Sequence, residues 1–270
     1  MDRARLNANK SELRPELRLI VSPGKPRVAM LDLARGLAVC LMIVFHTLFD
    51  LKTFVSPPSK LATALPAQFW TALPTLVGTL FFLVLGAAHF EQHRVNEYAR
   101  VGWLRRLAPG AKLLLVALGI SVITNFFTPH LAIYFGVLHC MWVAKVLLIP
   151  ARKLNLSNLA VGVTLVAAGN CLGPYEIESR WLLWLGVSSR MGSGGDWYPI
   201  LPWVGVAYLG YFGMQRGRSI ALPRIWISGY ENIFARPAAL LRWLGRHSLL
   251  IYLLHQPALI GAMRAFSYFF

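Results

Sequence analysis

Between Val28 and Leu51 the chain reads VAMLDLARGLAVCLMIVFHTLFDL, an apolar run with few polar side chains. From Met30 it supplies roughly 22 residues of helix, enough at about 1.5 Å each to cross a bilayer core. The polar members are Asp32, Arg35, His46, Thr47 and Asp50. At about 100° per residue Arg35 falls about 20° from His46, with Asp32 and Asp50 each about 40° to its other side. The four ionisable groups therefore share one narrow stripe, two near each end of the segment. A charge turned towards lipid costs about 3 kcal/mol or more, so the stripe should face a protein interior or a wet cavity. The rest of the chain is then the wall of that cavity.

Apolar runs of roughly 18 to 24 residues recur along the sequence, broken by short basic segments. Only 14% of the 270 residues are charged, against about 25% in a soluble domain. The fold class that follows is all-α, a polytopic transmembrane helix bundle. The formal charge of +16 raises nucleic acid as a partner, but the basic residues lie between apolar spans, where they meet lipid headgroups. No zinc-finger, P-loop or dinucleotide-binding spacing is present, so membrane lipid is the expected partner and nucleic acid is not. Cys40, Cys140 and Cys171 lie in or beside apolar spans without CxxC spacing, which reads as structural thiols and no metal site.

Residues 1–27 are polar and basic, with Pro15, Pro23, Gly24 and Pro26; they are expected to form a disordered tail rather than a cleaved signal. Residues 28–270 form a single membrane domain. About seven spans are expected, near 28–51, 67–89, 111–127, 131–149, 157–173, 198–214 and 247–268. The mixed stretch between the fifth and sixth also admits a short interfacial or re-entrant helix at 180–187. Lys and Arg gather in 3–27, 94–112, 145–153 and 216–246, which places the N-terminus in the cytoplasm and the C-terminus outside. Lys145 counts here among the cations at the inner surface.

His46 and Asp50 are one helical turn apart, where a carboxylate can orient an imidazole and raise its basicity, as a general base requires. The alternative is a polar pair tying this helix to a neighbour. His139, in FGVLH, and Asp196, in GGDWYPILPW, fall at the same external depth. His139 is equally a satisfied core histidine, and Asp196 equally a helix N-cap before Pro199. His255 lies two residues before Pro257, where a carbonyl freed by the proline is an available partner. Asp32 and Arg35 form either an ion pair at the inner end or, with Arg246, part of a site for a polyanion.

Four stretches in order, RVAMLDLARGLAVCLMIVFHTLFDL, IYFGVLH, GGDWYPILPW and LGRHSLLIYLLHQP, resemble the bacterial DUF1624 branch of the heparan-α-glucosaminide N-acetyltransferase family. The resemblance runs from about residue 27 to 262, and the opening helix is also similar to the membrane acyltransferase-3 group. It implies transfer of an acetyl group from cytosolic acetyl-CoA to an amino sugar on the other side of the membrane. Arg35 and Arg246 become candidate donor phosphate partners, His46 the base or acetyl carrier, and Asp50 its orienting group. In the lysosomal members the catalytic histidine follows the first helix in a loop, whereas residues 51–66 here contain no histidine. The acceptor expected of a bacterial inner-membrane protein is an envelope glycan or other amino- or hydroxyl-bearing sugar. O-acylation of envelope polysaccharide, proton-coupled transport and a structural role remain the competing readings, and a homodimer is left open.

Overall fold

The computed structural model describes residues 28–53, 55, 60–96, 103–172, 182–187, 196–219 and 235–269. The basic tail 1–27, Arg180 and the glycines Gly192, Gly194 and Gly195 lie outside them. The described residues are helices and turns, without a strand among them. In chain order the helices are α1 (Ala29–Thr53), α2 (Lys60–Thr63), α3 (Phe69–Asn96), α4 (Trp103–Phe127), α5 (Val137–Leu147), α6 (Ala151–Leu154), α7 (Ser157–Leu172), α8 (Ile200–Ser219), α9 (Ala235–Arg246) and α10 (Ser248–Phe269).

A helix stands at each expected span, and among the described residues three are both long and apolar enough to cross a membrane: Ala29–Thr53, Phe69–Arg94 within α3 and Gly110–Phe127 within α4. The stretch expected as one span at 131–149 is not a continuous helix. Pro129–Leu131 forms a 3₁₀ turn and α5 begins only at Val137. Its 11 residues reach about 16 Å, roughly half a hydrocarbon core. Of the short helix expected at 180–187, residues 182–187 form a hydrogen-bonded turn. That turn pairs with the start of α8, where the Ile200 and Leu201 N–H groups donate to the Trp184 and Leu185 carbonyls at 2.8 and 3.3 Å. An additional amphipathic helix, α9, occupies part of the basic stretch before the last span.

Glycines set the closest crossings. A Cβ on Gly86 of α3 would overlap the Ala207 carbonyl of α8, and one on Gly210 of α8 would overlap the Leu83 carbonyl. The same holds between α1 and α9, where Gly36 lies on the Leu241 carbonyl and Gly245 on that of Asp32. Small residues let helix backbones approach where lipid provides no hydrophobic drive for association. The fully buried side chains Phe82, Leu148, Val204 and Tyr211 fill the space around α3, α5 and α8. Gly86→Ala should therefore lower unfolding stability by about 1–3 kcal/mol through overpacking. Gly119→Ala, where a Cβ meets open space, should leave it almost unchanged; thermal unfolding in detergent micelles compares the two.

Candidate functional site

Helices α1, α3, α5 and α10, with the segment 196–198, enclose a cavity of about 510 Å³. Its walls repeat one pattern. On α1 the lining side chains are Arg35, Met42, Phe45 and His46, so the cavity follows twelve residues of that helix, eleven steps or about 16 Å. Helix α3 runs the other way, from Pro74 and Thr75 through Phe81 and Leu85 to His89 and Gln92. Helix α5 descends from Val137 and Leu138 through Met141 to Lys145, and α10 rises from Ser248 to Tyr252. Polar groups collect at both ends, around Arg35 and around His46, and the middle is apolar.

At the Arg35 end, the guanidinium Nη1 donates to Asp32 Oδ1 at 2.9 Å. Asp32 also pairs with Arg246, whose Nε lies 3.5 Å from Oδ2. Asp32 is thus a buried bridge between α1 and α9. Of the three residues expected to hold the donor, Arg35 lines the cavity, whereas Asp32 and Arg246 stand behind it and Arg246 is half exposed.

At the His46 end the expected His46–Asp50 pair does not form. Asp50 is fully buried and accepts from Gln256 Nε2 of α10 at 3.4 Å. Its short side chain is turned about 40° around the helix from His46, on the flank away from Arg35, and so meets α10. His46 meets His255 instead, with ring centroids 4.8 Å apart in an edge-to-face arrangement. His255 Nδ1 lies 2.7 Å from the Tyr252 carbonyl, so this nitrogen carries a proton and neutral His255 leaves a lone pair on Nε2. That carbonyl belongs to Tyr252, not to Leu253, the residue Pro257 would deprive of its helical partner. His255 Nε2 and His46 Nδ1 are both buried without a hydrogen-bond partner. Two imidazoles with unused nitrogens are therefore in contact where the cavity ends.

His139 is near this region but does not line the cavity. The Gly136 N–H donates to its Nδ1 at 3.2 Å, and Nε2 lies 3.3 Å from Ser121 Oγ. The Ser121 hydroxyl donates to the Ile133 carbonyl at 2.6 Å. Both nitrogens are occupied, so His139 closes the N-terminus of α5 as a satisfied core histidine. Asp196 lines the cavity and caps a helix, though α5 rather than its own α8. Its Oδ2 accepts the Val137 N–H at 3.2 Å and the Tyr252 hydroxyl at 2.7 Å. Burial raises the Asp196 carboxyl pKa, and the hydrogen bonds from Tyr252 and Val137 oppose that rise. Gly136 makes the approach possible, since a Cβ there would come within 2.5 Å of Asp196 Oδ2.

The Asp196 segment is held from several sides. Tyr198 N donates to the Phe135 carbonyl at 3.4 Å, its hydroxyl to the Pro74 carbonyl at 3.3 Å, and Trp197 Nε1 to the Leu183 carbonyl at 3.0 Å. Trp197, Tyr198 and Trp203 bring flat, partly polar rings to the cavity wall. The residues sequence reasoning passed over are Tyr252, His89, Gln92 and Lys145. His89 and Lys145 carried a signal, being ionisable side chains within apolar runs. Lys145 is part of the cavity wall as well as a cation near the end of its helix.

The sequence model of the heparan-alpha-glucosaminide N-acetyltransferase catalytic family matches residues 27–257. The chain belongs to that family. No curated protein matches the chain, and no solved structure does. Membership makes it one of a family of membrane acetyltransferases, and the matched region contains the whole cavity wall.

If His139 is structural, His139→Ala should lower unfolding stability by about 1–3 kcal/mol through its unsatisfied partners, while leaving any ligand affinity of the folded fraction unchanged. Thermal unfolding and equilibrium binding on the same preparation test this; a stable variant with weakened binding would return His139 to the site.

Proposed function

We propose that the protein transfers an acetyl group from acetyl-CoA, bound at the Arg35 end, to an amino-sugar or glycan acceptor at the His46 end. The observation that carries this reading is the single cavity between Arg35 and His46. The donor's pantetheine arm has about twelve bonds from phosphate oxygen to sulfur, the reach of about four extended residues, or roughly 14 Å. The cavity follows α1 for about 16 Å, and side chains at each end shorten that gap. An arm threaded along Met42, Phe81, Leu85 and Met141 would bring its thioester to His46.

In this reading His46 is the general base. It takes a proton from the acceptor amine as nitrogen attacks the thioester carbonyl, forming the C–N bond. The C–S bond then breaks, and the departing thiolate takes up that proton from the imidazolium. His255, with its Nε2 lone pair turned inward, orients His46 and shares its proton. Asp196 and Tyr252 anchor the acceptor side, where Trp197 and Trp203 offer faces for a sugar ring. Asp50 belongs to the α1–α10 contact. With the N-terminus in the cytoplasm, as the Lys and Arg distribution supports, the donor enters from the cytoplasm and the acceptor from outside. The setting we propose is a bacterial inner membrane. A hydroxyl acceptor would pass through the same steps.

Transfer of label from [acetyl-¹⁴C]-CoA to glucosamine or envelope glycans, using purified protein in detergent, tests the proposal. Wild type should label an amine-bearing acceptor. His46→Ala should lose at least about 100-fold in rate, within the range for removing a general base. His255→Ala should lose about tenfold to 100-fold while leaving donor affinity intact. Labelling unaffected by His46→Ala would sink the assignment of the base, and no labelling by wild type with any acceptor would sink acyl transfer.

A further inference from the structure

We infer that the Arg35 end of the cavity is a diphosphate-binding site built from Lys145, Arg35 and His89, with Gln92 as a further hydrogen-bond partner. The inference rests on the donor reading above and assigns the donor's diphosphate to named side chains, of which Lys145, His89 and Gln92 have had no role so far.

Three helices contribute to this end: α1 with Arg35, α3 with His89 and Gln92, and α5 with Lys145. Lys145 lies within electrostatic range of both Arg35 and His89, yet no carboxylate pairs with it among the described residues. Of the acids near this end, Asp32 pairs with Arg35 and Arg246, and Glu91 with Arg94 at 3.2 Å, so neither pairs with Lys145. Asp196, the one carboxylate lining the cavity among the described residues, stands at the opposite end beside the N-terminus of α5. Lys145 thus brings a positive charge to the cavity wall with no carboxylate paired to it among the described residues.

His89 supplies the second observation. It is 6% exposed, and both of its ring nitrogens are buried without a hydrogen-bond partner. In any protonation state an imidazole has at least one N–H to donate, and an unmet donor at this depth is costly. A ligand oxygen in the cavity meets that need, and also the need of Lys145.

The geometry favours a diphosphate over a single carboxylate. A guanidinium, an ammonium, an imidazole and an amide approach from three helices, which suits several oxygens spread over two linked groups. Arg35 is held in place by Asp32, so its guanidinium is fixed at this end rather than searching. A diphosphate seated here also sets the register of the donor. Its arm then ends at the His46–His255 pair, whereas a donor with a shorter arm stops in the apolar middle.

The test is equilibrium binding by the purified full chain in detergent micelles, with CoA, inorganic pyrophosphate and pantetheine as separate probes. Lys145→Met and His89→Leu should each weaken CoA and pyrophosphate by about tenfold or more and leave pantetheine unaffected. Lys145→Arg should stay within about threefold of wild type, and thermal unfolding identifies the variants that are folded. CoA affinity unchanged in folded Lys145→Met and His89→Leu overturns the diphosphate site while leaving the donor reading standing. Pyrophosphate binding that depends on Lys145, in a protein that does not bind CoA, keeps the site and removes the donor reading. Wild type that binds neither probe removes both.

Discussion

The stripe of ionisable groups on α1 cannot be left in lipid, and the last part of the chain is arranged to meet it. Asp32 is met by Arg246 of α9, His46 by His255 of α10, and Asp50 by Gln256 one residue further on. These contacts are made at successive heights along one face of α1 and place two helices from the far end of the sequence. The close approach of Gly36 and Gly245 allows the lowest contact. With α9 and α10 thus fixed, α3 and α5 complete the enclosure, and the stripe becomes one wall of a cavity instead of a defect in a membrane helix.

The second constraint is the buried start of α5. A helix beginning inside a bundle exposes N–H groups that lipid cannot satisfy. Asp196 takes one of them and also brings the Tyr252 hydroxyl to the same oxygen, while His139 takes the N–H of Gly136. One carboxylate therefore joins α5, α10 and the segment leading into α8 at the wall of the cavity. The cap expected of Asp196 on its own helix is made on α5 instead, and under the proposed function the same carboxylate that closes α5 would also face the acceptor.

Much of this architecture was legible in the sequence because membrane helices obey simple rules of length, apolarity and period. Each expected span contains a helix, and of the stripe on α1 Arg35 and His46 line a cavity while Asp32 and Asp50 are buried in the protein interior. What sequence could not supply was the neighbour of each polar group. The spacing of His46 and Asp50 is compatible with a contact, but α10 offers both residues other partners, and these come from about 200 positions away in the chain. The short α5 was hidden because Leu131 to Ile149 is apolar throughout most of its length, and hydropathy does not register the irregular backbone before Val137. Lys145 was visible as a cation yet ambiguous, since a lysine near a helix end can also reach lipid headgroups.

The apolar middle of the cavity has a consequence for the membrane around it. A protein with polar groups at both ends of one internal space risks becoming a leak for protons and small ions. Between Arg35 and His46 the walls are Met42, Phe81, Leu85, Leu138, Met141 and Leu249, none of which supports a chain of water molecules by hydrogen bonding. An apolar section of this kind disfavours a continuous water file, while a flexible organic arm can still lie along it. Under the proposed function the same side chains that accommodate a long donor also act as an electrical seal, which a hydroxyl or a charge introduced among them would weaken.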